Sequence, residues 1–214
     1  MKKSLIVMGA TLLLSNGILG YEYYEGKKEG KKVIQYETYL SSILTSDTAK
    51  MVGSTNHLSR FIDNAIENKA ISPEEKAIVI GQMFELMDIS SKTEQLAVAT
   101  ELLDNKSTSY LTSNTLYFIG MYLSQLDDSQ ELVETDLEKL RYIQTFTTAW
   151  KEVSNKELPQ LKSQDGFNAY WDQHEKTMVN ESSWKDVVIG MDQATTRLLS
   201  DKKLKSIEAF LIKD

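Results

Sequence analysis

An all-α fold is what this sequence predicts, and three observations predict it. From residue 33 onward apolar side chains recur every three or four positions, the period of a helix face. Breakers are scarce: Pro73 and Pro159 are the only prolines, and half of the ten glycines (Gly9, Gly17, Gly20, Gly26, Gly30) fall within the first thirty residues. No stretch combines two-residue alternation with β-branched enrichment, so no strand is expected. The expected architecture is an antiparallel helical bundle or short stack of helical hairpins, with an N-terminal signal or anchor helix.

Taken in order, the chain divides into residues 1–20, a polar stretch 21–32 and a helical domain 33–214. Lys2 and Lys3 precede an apolar run at 5–14, and Ser15-Asn16-Gly17 follows as a small, polar break. Charge, apolar core and small-residue site in that order are the grammar of an export signal. An uncleaved anchor is the alternative, with the helix carrying on to Gly20 and Tyr21, Tyr23 and Tyr24 as an interfacial belt. Length favours the signal, because spanning a bilayer takes roughly 20 apolar residues. Lys27, Lys28, Lys31 and Lys32 behind the segment argue the same way, outnumbering Lys2 and Lys3 in front of it. The glycine-punctuated 21–32 reads as a tether without fixed structure.

Val33, Leu40, Ile43 and Leu44 predict a first helix ending near Thr45, with Ser46 or Asp47 capping a second that carries Met51, Leu58, Ile62, Ala65 and Ile66. Ser72-Pro73-Glu74-Glu75 is the clearest helix start: a serine cap, proline in the first turn and acid at the third position. The helix it opens is expected to turn near Asp88, where Ser91 with Glu94 repeats the capping box ahead of Leu96, Ala99, Leu102 and Leu103. A loop at 105–109 leads into a very apolar helix from Leu111 to Leu126. Val133, Leu137, Leu140, Ile143, Phe146, Trp150 and Val153 then set out the longest helix, some 25 residues or about 40 Å. After Asp165-Gly166 come a short aromatic helix through 178, another opening at Ser183-Trp184, and a last one capped by Ser200-Asp201.

Composition narrows function. Without cysteine, an exported chain uses neither disulfides nor thiol catalysis, and its stability must come from helix packing. The net charge is −7, which makes nucleic acid a poor partner. Removing Lys2 and Lys3 takes it to −9, and the segment 85–138 carries all of that, with eleven acids against Lys92 and Lys106. Glu131, Glu134 and Glu138 mark a candidate acidic face for a basic partner, weighed against an ordinary solvated helix surface.

Three helices share a phrase: Val79-Ile80-Gly81-Gln82-Met83, Phe118-Ile119-Gly120-Met121 and Val188-Ile189-Gly190-Met191. A glycine inside an apolar helix calls for a packing reason such as a close crossing. Ile80-Gly81 with Phe84 resembles the Leu-Gly-x-x-Tyr part of a tetratricopeptide repeat, over about 60 residues and without the alanine and proline positions of that repeat's second helix. The resemblance implies a stack of helical hairpins with a peptide groove, and coincidence among apolar helices is the competing explanation.

Trp150, Phe167, Tyr170, Trp171 and Trp184 are the candidate binding residues, an aromatic group able to line a pocket for a sugar, lipid chain or cationic head group. Large aromatics are more often core. His57 and His174 are the only histidines, neither sits in a zinc spacing, and no metal or cofactor is expected. Phosphate loops, nucleophile elbows and calcium loops are lacking, which leaves distant carboxylates such as Glu85, Asp88, Glu131 and Glu134 as the only route to an active site. The functional expectation is an exported, non-enzymatic helical protein that binds another cell-envelope component, in contact with the membrane only through 4–20 if that segment is retained. A small-ligand carrier using the aromatic region 146–184 and a carboxylate hydrolase of envelope polymers are the alternatives.

Overall fold

A computed structural model describes the backbone of residues 2–99, 111–127, 131–162 and 164–212, and the side chains of 26–98, 111–127, 131–161 and 168–212. The fold is all-α. Among the described residues the elements are α1 (Lys2–Asn68), α2 (Pro73–Ala99), α3 (Leu111–Gln125), α4 (Glu134–Glu157), α5 (Gln164–His174), α6 (Ser183–Asp201) and α7 (Glu208–Leu211), with 3-10 turns at Pro159–Lys162 and Met178–Asn180. Five helices close a ring in which α1 packs on α2, α2 on α3, α3 on α6, α6 on α4 and α4 back on α1. The apolar stripes meet inside it: Phe61 and Ile62 from α1, Met83 and Leu86 from α2, Leu116 and Ile119 from α3, Ile143, Phe146 and Trp150 from α4, Val187 and Met191 from α6. α5 and the second 3-10 turn lie across α1, where the Val179 amide donates to Ser41 Oγ at 3.1 Å.

Local chemistry explains the boundaries that the sequence predicted. α2 begins at Pro73, with Ser72 Oγ accepting from the Glu75 amide at 3.4 Å and Ser72 O accepting from the Lys76 amide at 2.8 Å. α4 runs from Glu134 to Glu157 before Leu158-Pro159, close to the expected length. Elsewhere the prediction placed breaks that do not occur. α1 continues through Ser46 and Asp47, and α2 continues through Asp88 and Ser91, so neither expected cap ends a helix. An unbroken α2 also removes the hairpin on which the repeat resemblance depended. Residues 26–32, expected to lack fixed structure, are part of α1. At the C-terminus α6 runs on to Asp201, and only a single turn, α7, follows. The expected loop at 105–109 lies outside the described residues, as do the side chains of residues 4–20. Among the described residues no helix is long and apolar enough to cross a membrane.

Only one of the three repeated glycines sits at a tight crossing. A Cβ on Gly190 would stand 2.7 Å from Val153 Cγ1 on α4, whereas on Gly120 it would make an ordinary 3.6 Å contact with Phe84, and on Gly81 it would meet nothing within 4 Å. Val153 is β-branched and stiff at χ1, so it cannot swing aside cheaply. Gly190→Ala is expected to destabilise by about 1–2 kcal/mol, an overpacking cost only partly offset by alanine's helix propensity. Gly81→Ala should stabilise by up to about 1 kcal/mol. Urea unfolding of the two variants reads the opposite signs; equal shifts would contradict the α4–α6 crossing.

Candidate functional site

The aromatic residues that the sequence offered as a pocket are packed into the core. Trp150 is 0 % exposed and Tyr170 and Trp184 are 1 % exposed, whereas Trp171 is half-buried. The Phe167 side chain lies outside the described residues. On α4 the spacing of four residues stacks Tyr142 on Phe146 and Phe146 on Trp150, with ring centroids 5.1 and 5.9 Å apart, along the face that looks into the ring of helices. Tyr170, on α5, packs against His174 with centroids 4.6 Å apart. None of these residues lines any of the described clefts.

The proposed acidic face is solvated. Glu131, Glu134 and Glu138 are all exposed, and Glu134 pairs with Arg141 Nη1 at 2.6 Å, a hydrogen bond that holds its carboxyl below the usual range. The carboxylates that could have made a hydrolase are engaged or out in solvent: Glu85 Oε1 takes Lys50 Nζ at 2.8 Å, Asp88 takes Lys92 one turn on, and Glu131 is exposed. Neither histidine stands free. His57 Nδ1 meets Gln82 Oε1, and His174 Nδ1 lies 2.6 Å from Glu181 Oε2. Burial works against the Glu181 charge, but hydrogen bonds from His174 and Thr177 outweigh it and keep that carboxyl below its ordinary value. Among the described residues no group of three or more His, Asp or Glu is gathered as for a metal.

Three further features stand outside the residues the sequence offered as a site. The first is a cleft of about 700 Å³ between the C-terminal half of α4 and α6, with Val153, Ile189 and Ala194 in its walls and Lys156, Glu157, Asp186 and Arg197 around it. Its volume is in the range of small-molecule pockets, but its charges are mixed in sign. The second is a buried acid. Glu94 is 2 % exposed, accepts from Ser90 Oγ at 3.1 Å through Oε1, and leaves Oε2 without a partner. Burial first, and then the neighbouring Asp192, push its carboxyl up to about 7. Burial also raises Asp192, whose carboxylate accepts from the Thr112 amide in the first turn of α3.

No protein-family model matches the chain, and neither a curated protein nor a solved structure matches it.

The third feature is the stretch of α1 that leaves the bundle. Residues 26–37 are exposed around the whole helix, and burial begins only at Ser41, Leu44, Thr45 and Thr48. Among the described residues, five of the nine exposed large apolar side chains are concentrated here: Val33, Ile34, Tyr36, Tyr39 and Ile43, against Ile78, Tyr117, Val133 and Ile212 scattered singly. Scattered apolar residues are normal on a surface, but a contiguous run marks a place where something binds. The sequence did contain the signal, as period without partner: Val33, Leu40 and Ile43 repeat like a core face on a segment with nothing yet to pack against.

Proposed function

We propose that this protein is an exported, non-catalytic helical domain that binds another component of the cell envelope. One observation carries the binding half of this reading: α1 extends beyond the bundle as a bare helix with Val33, Ile34, Tyr36 and Tyr39 in solvent. A lone solvated helix gains little stability from propensity alone, and packing an apolar stripe is the usual compensation. The export half is supported by the order of Lys2-Lys3, the apolar run at 5–14 and Ser15-Asn16-Gly17. Signal removal near residue 20 would leave the bare helix at the new N-terminus; retention would hold it at the outer face of the membrane.

N-terminal sequencing and protease accessibility in intact cells test the address. A shortened or surface-accessible product is expected, and a full-length, protected product recovered with cytosolic proteins would overturn it. Crosslinking in intact cells, with identification of the captured component, tests the binding.

The carrier reading keeps one observation in its favour, the α4–α6 cleft, though not the aromatic walls first expected of it. Its mixed charges suit a zwitterionic or peptide-like ligand. If such a ligand binds there, it raises the midpoint of thermal unfolding by mass action, and Arg197→Glu abolishes the shift. A shift that survives Arg197→Glu would place the ligand elsewhere.

A further inference from the structure

The exposed stripe on α1 has a register. Val33, Tyr36, Leu40 and Ile43 are spaced three, four and three residues apart, which are the a and d positions of two successive heptads. Val33 and Tyr36 are 54 % and 69 % exposed, Leu40 is half-buried and Ile43 is 38 % exposed. The stripe stops where the pattern turns polar, since the next a and d positions are Asp47 and Lys50.

We infer that residues 32–43 of α1 pair in parallel with the same residues of a second copy of this chain, as a short two-stranded coiled coil. Two features of the helix favour that occupant. In a parallel pair, each g position faces the e position five residues on in the partner. With Val33 at a, Lys32 is g and Glu37 is e, so the two helices place opposite charges across the seam on both sides. The bundle also leaves most of the seam free. Ser41, Leu44, Thr45 and Thr48, through which α1 enters the bundle, occupy the b, e and f positions; Val33, Tyr36 and Ile43 are exposed, and Leu40, one turn before Leu44, is half-buried where the seam meets the bundle. Two bundles would therefore lie on the outside of the pair. The seam is only about 16 Å long at 1.5 Å per residue, so association is weak in dilute solution and grows with local concentration, as on a shared surface. The inference rests on the reading of the bare helix as a binding surface and gives that surface a second copy of this chain as its partner, in place of a different component.

The absence of cysteine makes the test clean. In a parallel, in-register pair the a and d residues face their own counterparts, and disulfides need Cα atoms about 4.4–6.8 Å apart. Single variants Val33→Cys and Tyr36→Cys of the full-length chain, oxidised with a soluble catalyst, are expected to give a covalent dimer; Gln35→Cys, at c on the outer face, is not. Lys32→Glu and Glu37→Lys should each reduce crosslinking at Val33→Cys, and the two together should restore it. All these positions are solvent-exposed, and unchanged helicity by circular dichroism shows that the variants fold.

Crosslinking that is equal at Val33→Cys and Gln35→Cys, or dimer formed only when Val33→Cys is mixed with Ile43→Cys, would overturn the parallel pair. So would a chain that stays monomeric but binds vesicles of phosphatidylglycerol and phosphatidylethanolamine through this helix, because lipid would then be the occupant. Purified protein reports on pairing wherever the cell sends the chain. Failure here therefore leaves the export reading standing, and a cytosolic address leaves the pairing result standing.

Discussion

Trp150→Ala is expected to destabilise the fold by about 3–5 kcal/mol, the usual cost of truncating a buried aromatic to alanine. Set against a total stability of about 5–15 kcal/mol for a domain, that is enough to unfold a substantial fraction of the chain at growth temperature. The cost has two sources. The indole fills the space between α4 and α6 at 0 % exposure, and a cavity would be left because the stacked Phe146 cannot collapse into it along the same helix face. The indole Nε1 also donates to Thr195 Oγ1 at 2.9 Å. Thr195 gives its own proton to Met191 O at 2.8 Å and lies 3.2 Å from Thr112 Oγ1, so this hydroxyl joins α3, α4 and α6 with its one donor and two acceptor sites filled. Trp150→Phe separates the two sources, keeping most of the volume and removing only the hydrogen bond, and should cost about 1–2 kcal/mol. Trp171→Ala, at a half-buried site, should cost less than half as much as Trp150→Ala. Urea unfolding with unchanged m-values reads all three. A loss below about 1 kcal/mol for Trp150→Ala would mean that the indole is not the keystone of the α4–α6 contact, and would reopen the aromatic pocket.

How much of this was legible in the sequence depends on what polar residues were doing. The helical class, the start of α2 at Ser72-Pro73 and the long α4 follow from period and capping chemistry, and the structure has them. The false breaks at Ser46-Asp47 and at Asp88 to Ser91 share a cause. Serine and threonine read as caps, yet inside a helix they can bond the carbonyl one turn back. Thr45 Oγ1 does so to Ser41 O at 2.8 Å, and Thr93 Oγ1 does so to Ile89 O at 2.8 Å. Ser41, Thr45, Thr48, Thr55, Ser59, Ser90 and Thr93 are all buried, so polar letters sit where a periodicity argument expects apolar ones. For the aromatic residues the sequence left core and pocket both open, with core the more usual place for large rings, and Trp150, Tyr170 and Trp184 are core. Clustering in sequence between 146 and 184 says that large rings are present, but only the packing shows that α4 turns its row inward and that Tyr170 on α5 packs against His174. Glu94 was invisible altogether, because an acid after Ser91 is as good a capping box as any and nothing in the letters shows that its helix face is enclosed.

That enclosed acid leads to the second large effect, a stability that falls as pH rises through neutrality. The Glu94 carboxyl titrates near 4.5 when unfolded and is pushed up to about 7 in the fold. Between those values the native state holds a proton that the unfolded state has released, so raising the pH favours unfolding across this window. The stabilisation is complete below about pH 4.5 and gone above about pH 7. At about 1.4 kcal/mol per pKa unit, the difference is on the order of 3 kcal/mol. Asp192, raised in the same direction by burial, adds to the slope, while Glu134 and Glu181, held low by Arg141 and by His174 with Thr177, lose their contribution only as pH falls below the ordinary carboxylate range. The expected profile therefore has its maximum in mildly acidic solution. Glu94→Gln keeps the shape and an acceptor for Ser90 but has no proton to lose, so it should be more stable than the native sequence at pH 8 and converge with it near pH 5. Denaturant midpoints measured from pH 5 to pH 8 decide the matter: two parallel curves would show that the proton taken up on folding is not on Glu94, and a native curve that rises with pH would reverse the sign of the linkage and with it the burial of this carboxyl.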